Sequence, residues 1–262
     1  MSATTLPHLD PNSDMGRPKQ GTAYLGIARP PRYFALDREE FETMGFVSRS
    51  YYLSSAIVVR CGLAAAAFGW FWISCPATAI ELTAAQEALY TTVSIFAPSA
   101  TSMTVCYGFV CRRREIMNFS PADRAALSKI LGAGRSSGAA ERAAVQKAMI
   151  WFDRRIGPII GTDKRVPNAD IRTFDDKHNF DCWDTTRNTT SLLLVLQERG
   201  LLKHHVVGDP RYRGYVINLE LPHNTAVLID RATSTEWVVD MWTRAYAQPP
   251  DVKPLAEWIK EN

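Results

Sequence analysis

Hydrophobic and polar positions divide the chain into three regions. Residues 1–43 are rich in Pro, Gly and charge and show no sustained apolar period. Such a segment buries too little surface to offset chain entropy, so it is expected to be a disordered leader. From Cys61 to Ile80 the chain reads CGLAAAAFGWFWISCPATAI, without a charged residue. Arg49 and Arg60 precede this run, and Ala77-Thr78-Ala79 closes it. A positive flank, an apolar run and small residues at −3 and −1 describe a secretory signal peptide cleaved after Ala79. The run is also long enough to remain as a membrane anchor. Met44 begins a segment of ordinary signal-peptide form, so residues 44–79 are read as the targeting segment. Translation is expected to start at Met44, leaving 1–43 untranslated.

The remainder alternates between helical and strand patterns. Glu81–Phe96 has helix-favouring residues with little period. Met103–Arg112 (MTVCYGFVCR) is β-rich around Gly108 and reads as a strand or bent hairpin. Ser120, Pro121 and Asp123 supply an N-cap, a first helical residue and a first-turn acid for a helix running to Leu131. The loop GAGRSSG (132–138) follows, then a helix over Ala139–Ile156 with Ala144, Ala148, Trp151 and Phe152 on one stripe. Pro158, Gly161 and Pro167 mark a loop. Thr189–Gly200 is again helical, ended by Gly200. Strand-like runs follow at Lys203–Val207, Gly214–Leu221, Thr225–Asp230 and Glu236–Met241. Helices followed by successive strands predict an α+β fold, with 80–160 as an N-terminal extension and 161–262 as a core domain.

A net charge of +3 over 262 residues provides no clustered basic face, and nucleic acid is not an expected partner. The densest basic run, Arg112–Arg114, reads as a solvated strand end. Cysteine placement changes the picture more. Cys61 and Cys75 lie in the apolar run, Cys106 and Cys111 form a close pair, and Cys182 stands apart. In an oxidising compartment such as the periplasm the close pair is expected to be a disulfide, leaving one free sulfur.

That sulfur lies in Asn179-Phe-Asp-Cys-Trp-Asp184, upstream of the 189–200 helix. A helix beginning at Cys182 would set the thiol on its N-terminal end, where the dipole favours thiolate. His223 opens a strand in Leu221-Pro-His-Asn-Thr-Ala-Val-Leu-Ile-Asp230, and Asp240 ends the next, Glu236-Trp-Val-Val-Asp240. Their separation is odd, so an even-numbered turn between the strands puts both side chains on one face. A base oriented by a carboxylate, within reach of a nucleophile, is triad logic. The thiolate would attack an amide carbonyl and form a thioester, with the oxyanion held by the Cys182 N–H and a second donor near Trp183 or Asn224. Water would then give hydrolysis and an amine would give transamidation.

Asp181-Cys182-Trp183-Asp184, His223-Asn224-Thr225-Ala226-Val227-Leu228 and Val239-Asp240 resemble the transglutaminase-like superfamily, and within it the bacterial transglutaminase-like cysteine peptidases. The similarity covers about residues 178–242. The chain also resembles a group of exported bacterial proteins carrying C-[HY]-G-x-x-C, here Cys106–Cys111, ahead of that core. The resemblance implies a papain-like α+β fold, Cys182 as nucleophile, His223 as base, Asp240 as orienter, a protein or peptide substrate and no cofactor. Two other readings compete. A binding module of the same fold would carry an unreactive thiol. A zinc site would draw on His178, Cys182, His204, His205 and His223. Asp230 is an alternative to Asp240, expected to be solvated at its turn.

Overall fold

The computed structural model describes residues 80–214 and 222–261. It is an α+β fold of helices with antiparallel strands. The leader, the targeting segment and almost all of the strand expected at 214–221 lie outside the described residues. Among the described residues no helix is long and apolar enough to cross a membrane.

Helix α1 (Ala84–Thr91) starts at a capping box: the Thr83 hydroxyl takes the Gln86 N–H and the Gln86 side chain takes the Thr83 N–H. The β-rich run supplies the first strand and the turn of a hairpin, whose second strand lies beyond it. Strand β1 (Ser102–Tyr107) pairs antiparallel with β2 (Arg113–Asn118), whose Arg113-Arg114-Glu115 is too polar to read as a strand. Helix α2 (Pro121–Gly132) begins as the cap residues predict, with Ser120 and Asp123 in a reciprocal box. Helix α3 (Gly138–Ile160) continues past the expected end, through Pro158, to a left-handed Gly161. It buries Ala144, Val145, Ala148, Met149, Phe152 and Ile156, while Trp151 lies at the margin of that face.

Among the described residues helix α4 (Cys182–Glu198) is central, buried continuously from Asp184 to Leu196. The β1–β2 hairpin covers one side of it and a five-stranded sheet another. That sheet is built on β5 (His223–Asp230). Strands β3 (His205–Val207) and β4 (Arg211–Arg213) pair end to end along one edge of β5, and β6 (Glu236–Asp240) and then β7 (Asp251–Pro254) follow on the other. A short helix α5 (Leu255–Trp258) packs on β6 and β7. Among the described residues one core joins the earlier elements to the later ones: Leu89, Met103, Val105 and Phe152 pack in the same cluster as Leu192–Leu196, Ala226, Leu228 and Val239.

Candidate active site

The start of α4 is fixed by carboxylates. Asp181 is its N-cap, and its Oδ1 takes the Asp184 N–H at 2.6 Å. Opposite lies the tip of the β1–β2 hairpin, where Gly108, Phe109, Val110 and Cys111 all have positive φ (72°, 68°, 52° and 55°). Three non-glycine residues in succession in the left-handed region are costly, and hydrogen bonds offset that cost. Successive N–H groups converge on the two acids: Phe109 and Cys111 donate to the Asp184 carboxylate (2.9 and 2.7 Å) and Val110 to that of Asp181 (2.7 Å). This is a backbone nest for anionic groups. The Cys106–Cys111 disulfide closes it. One helical turn further on, Asn188 clasps Cys106 from both sides: its Oδ1 takes the Cys106 N–H and its Nδ2 donates to the Cys106 carbonyl, each at 2.8 Å.

Cys182 is the first residue of α4, half-buried, and the free cysteine of the described residues. The backbone N–H of Asn224, the residue after His223, faces its sulfur. The expectation of a helix-start thiolate is corrected here. Close packing pushes the thiol up, the nearby Asp181, Asp240 and Asp184 carboxylates push it further, and the single Asn224 N–H opposes them. The positive end of the helix is already answered by Asp181, whose carboxylate takes the Asp184 N–H. Burial pushes both of those acids up as well, and the Asp181 charge adds to the rise at Asp184.

His223 and Asp240 do meet. The β5–β6 register sets Ala226 opposite Val239, so Asp240 lies diagonally from His223 on the same face. The intervening turn is closed by the Asp230 N–H on the Thr235 carbonyl, leaving an even loop of Arg231–Ser234. His223 Nε2 is 2.6 Å from Asp240 Oδ2, and both side chains are buried. The other ring nitrogen, Nδ1, is buried and makes no hydrogen bond, to the Cys182 sulfur or otherwise. Asp240 is held further by the Trp242 N–H on Oδ1 (3.1 Å) and the Trp258 indole N–H on Oδ2 (3.0 Å). The ring centroids of Trp242 and Trp258 stand 4.5 and 5.3 Å from that of His223. Neither contact has a local sign in the sequence.

The two support residues separate. The Trp183 N–H is directed to Asp181, within the cap. Asn224 is buried, its Oδ1 takes the Thr186 hydroxyl at 3.2 Å, and its Nδ2 has no partner. The remaining histidines stay apart. His178 pairs with Asp176 at 2.9 Å. His204 bonds the Arg135 carbonyl at 3.0 Å, and buried His205 bonds Glu141 at 2.9 Å. No group of three or more His, Cys, Asp or Glu among the described residues is arranged to hold a metal. Asp230 accepts the N–H groups of Ala232 and Thr233 in its own turn, away from His223. Comparison with family models, with curated proteins and with solved structures gives no match, so the chemistry rests on this geometry.

Proposed function

We propose that the chain is an exported, thiol-dependent acyl-transfer enzyme with a papain-like core, acting on a peptide or glutamine-type amide. One observation carries the reading. His223 uses Nε2 to hold Asp240 and keeps Nδ1 unpartnered, one residue from the N–H that faces the Cys182 sulfur. A buried ring nitrogen without a partner is costly unless a reacting group uses it.

In this reading Asp240 fixes the tautomer with the proton on Nε2, so Nδ1 is the acceptor. When substrate enters, Nδ1 takes the Cys182 proton and the sulfur attacks the amide carbonyl. The Cys182 N–H, first in α4 and ahead of the amides that the cap consumes, faces the developing oxyanion. Asn224 Nδ2 is the second donor, and Trp183 is not one. Collapse breaks the C–N bond, the imidazolium returns its proton to the leaving amine, and a thioester remains on Cys182. Water or an amine then releases the acyl group, with Nδ1 again taking the proton of the attacking group. Generating the thiolate only during reaction suits a sulfur whose surroundings keep it protonated at rest.

The test is acyl-enzyme formation from p-nitrophenyl acetate, read as a nitrophenol burst and an acetyl mass increment on Cys182. The account expects the increment, and expects its rate to fall at least tenfold in His223→Ala. An increment that forms at the same rate without the imidazole would overturn it. The missing Nδ1–sulfur hydrogen bond favours the second reading, a binding module of the same fold, which predicts no increment on Cys182 in either protein.

A further inference from the structure

We infer that Trp258, from the last helical turn described, is the positioning residue for the Asp240–His223 pair. The inference rests on the proposed acyl-transfer chemistry for its consequence, though not for its geometry. Asp240 Oδ2 receives two donors, His223 Nε2 at 2.6 Å and the Trp258 indole N–H at 3.0 Å. Asp240 Oδ1 receives the Trp242 N–H at 3.1 Å. A carboxylate bonded on both oxygens has one orientation left, and its Oδ2 lone pairs are divided between an imidazole and an indole.

Trp258 is itself immobilised. It is only 1% exposed. The Arg213 guanidinium lies over its ring, 4.2 Å from the centroid, and donates to the Trp258 carbonyl. Arg213 is the β4 residue directly opposite His223 in the β4–β5 ladder. The indole is therefore fixed from the strand that borders the imidazole and fixes, in turn, the acid on the other neighbouring strand. A packing tryptophan needs none of this. It would bury its ring without aiming its N–H at an oxygen that already holds an imidazole. Such outer contacts set how well a reacting group is oriented, typically tenfold or more in function.

The experiment follows the Trp258 indole and His223 ring resonances of the 15N-labelled intact protein across pH. Because both groups share one oxygen, the indole signal should move at the same inflection as the imidazole. An indole signal that stays flat while His223 titrates would overturn the inference in the unsubstituted protein, whatever the folding of variants. In Trp258→Phe, which keeps an aromatic ring and removes the donor, the His223 Nε2–H resonance should move downfield as it gains the oxygen alone. Acetylation of Cys182 should slow about tenfold. A folded Trp258→Phe with an unmoved His223 resonance would refute the role. Loss of Cys182 acetylation in every form, with the shared inflection intact, would count against the acyl-transfer reading and leave the positioning contact standing.

Discussion

Asp184 and Cys111 lie 73 residues apart in sequence and are joined by a 2.7 Å hydrogen bond, the Cys111 N–H donating to a fully buried carboxylate. That bond makes the disulfide loop and the start of the cysteine-bearing helix one structural unit. Opening the Cys106–Cys111 bond frees the loop whose N–H groups satisfy Asp181 and Asp184. For a loop this short, the chain-entropy contribution is about 2 kcal/mol. Urea unfolding of the Cys106→Ser/Cys111→Ser double variant should show a loss of that order. An unchanged midpoint would show that the loop holds its shape without the disulfide.

Asn188→Ala removes both side-chain bonds to the Cys106 backbone and leaves a buried N–H and carbonyl without partners. Each stranded polar group costs roughly 1–3 kcal/mol, so a loss of about 2–4 kcal/mol is expected in thermal or urea unfolding. A loss below about 0.5 kcal/mol, ordinary for a surface position, would contradict the clasp.

Asp153 and Arg165 form a buried bidentate pair, at 2.8 and 2.7 Å, and Asp153 also takes the Ala247 N–H at 2.9 Å. The pair ties α3 to the loop after Asp240. Asp153→Ala strands a buried guanidinium and should destabilise by about 3–5 kcal/mol in urea unfolding. A variant as stable as the parent would mean that the cation finds water or another partner.

Burial and three carboxylates push the Cys182 thiol up, which sets the sign of its pH response. The fold holds the thiol proton more tightly than the unfolded chain does, so thiolate increases only as pH rises. In His223→Ala, where no imidazole can remove the proton, iodoacetamide labelling of Cys182 should keep accelerating beyond about pH 8.5, the midpoint of an ordinary thiol. A plateau below pH 8 would show that the helix start lowers the thiol after all.

Local signals were legible in the sequence, and signals carried by distant partners were not. The Ser120–Asp123 cap marks the start of α2 because all its atoms lie within one turn. The His223–Asp240 relation follows from strand alternation and loop parity, which need only residue counting. The first part of α4 was hidden, since Thr185–Ser191 is polar and shows no apolar period. Its side chains are buried against remote groups: Thr186 on Asn224, Arg187 on the Leu89 carbonyl, Asn188 on Cys106, Ser191 on the Tyr90 hydroxyl. Strands β4 and β7 escaped for a related reason. Arg-Tyr-Arg and Asp-Val-Lys-Pro sit at sheet edges, half-exposed, where no alternation is imposed. The upward push on the Cys182 thiol comes first from burial and then from the Asp181, Asp240 and Asp184 carboxylates, and a position at a helix start reveals none of these.

The central claim is that the His223 imidazole, brought in on β5, removes the proton from Cys182. Timed iodoacetamide labelling at neutral pH, comparing the unsubstituted protein with His223→Ala and using Cys182→Ala as the blank, measures it directly. The account predicts labelling of Cys182 that slows at least tenfold when the imidazole is removed. Equal, slow labelling in the two proteins would contradict it.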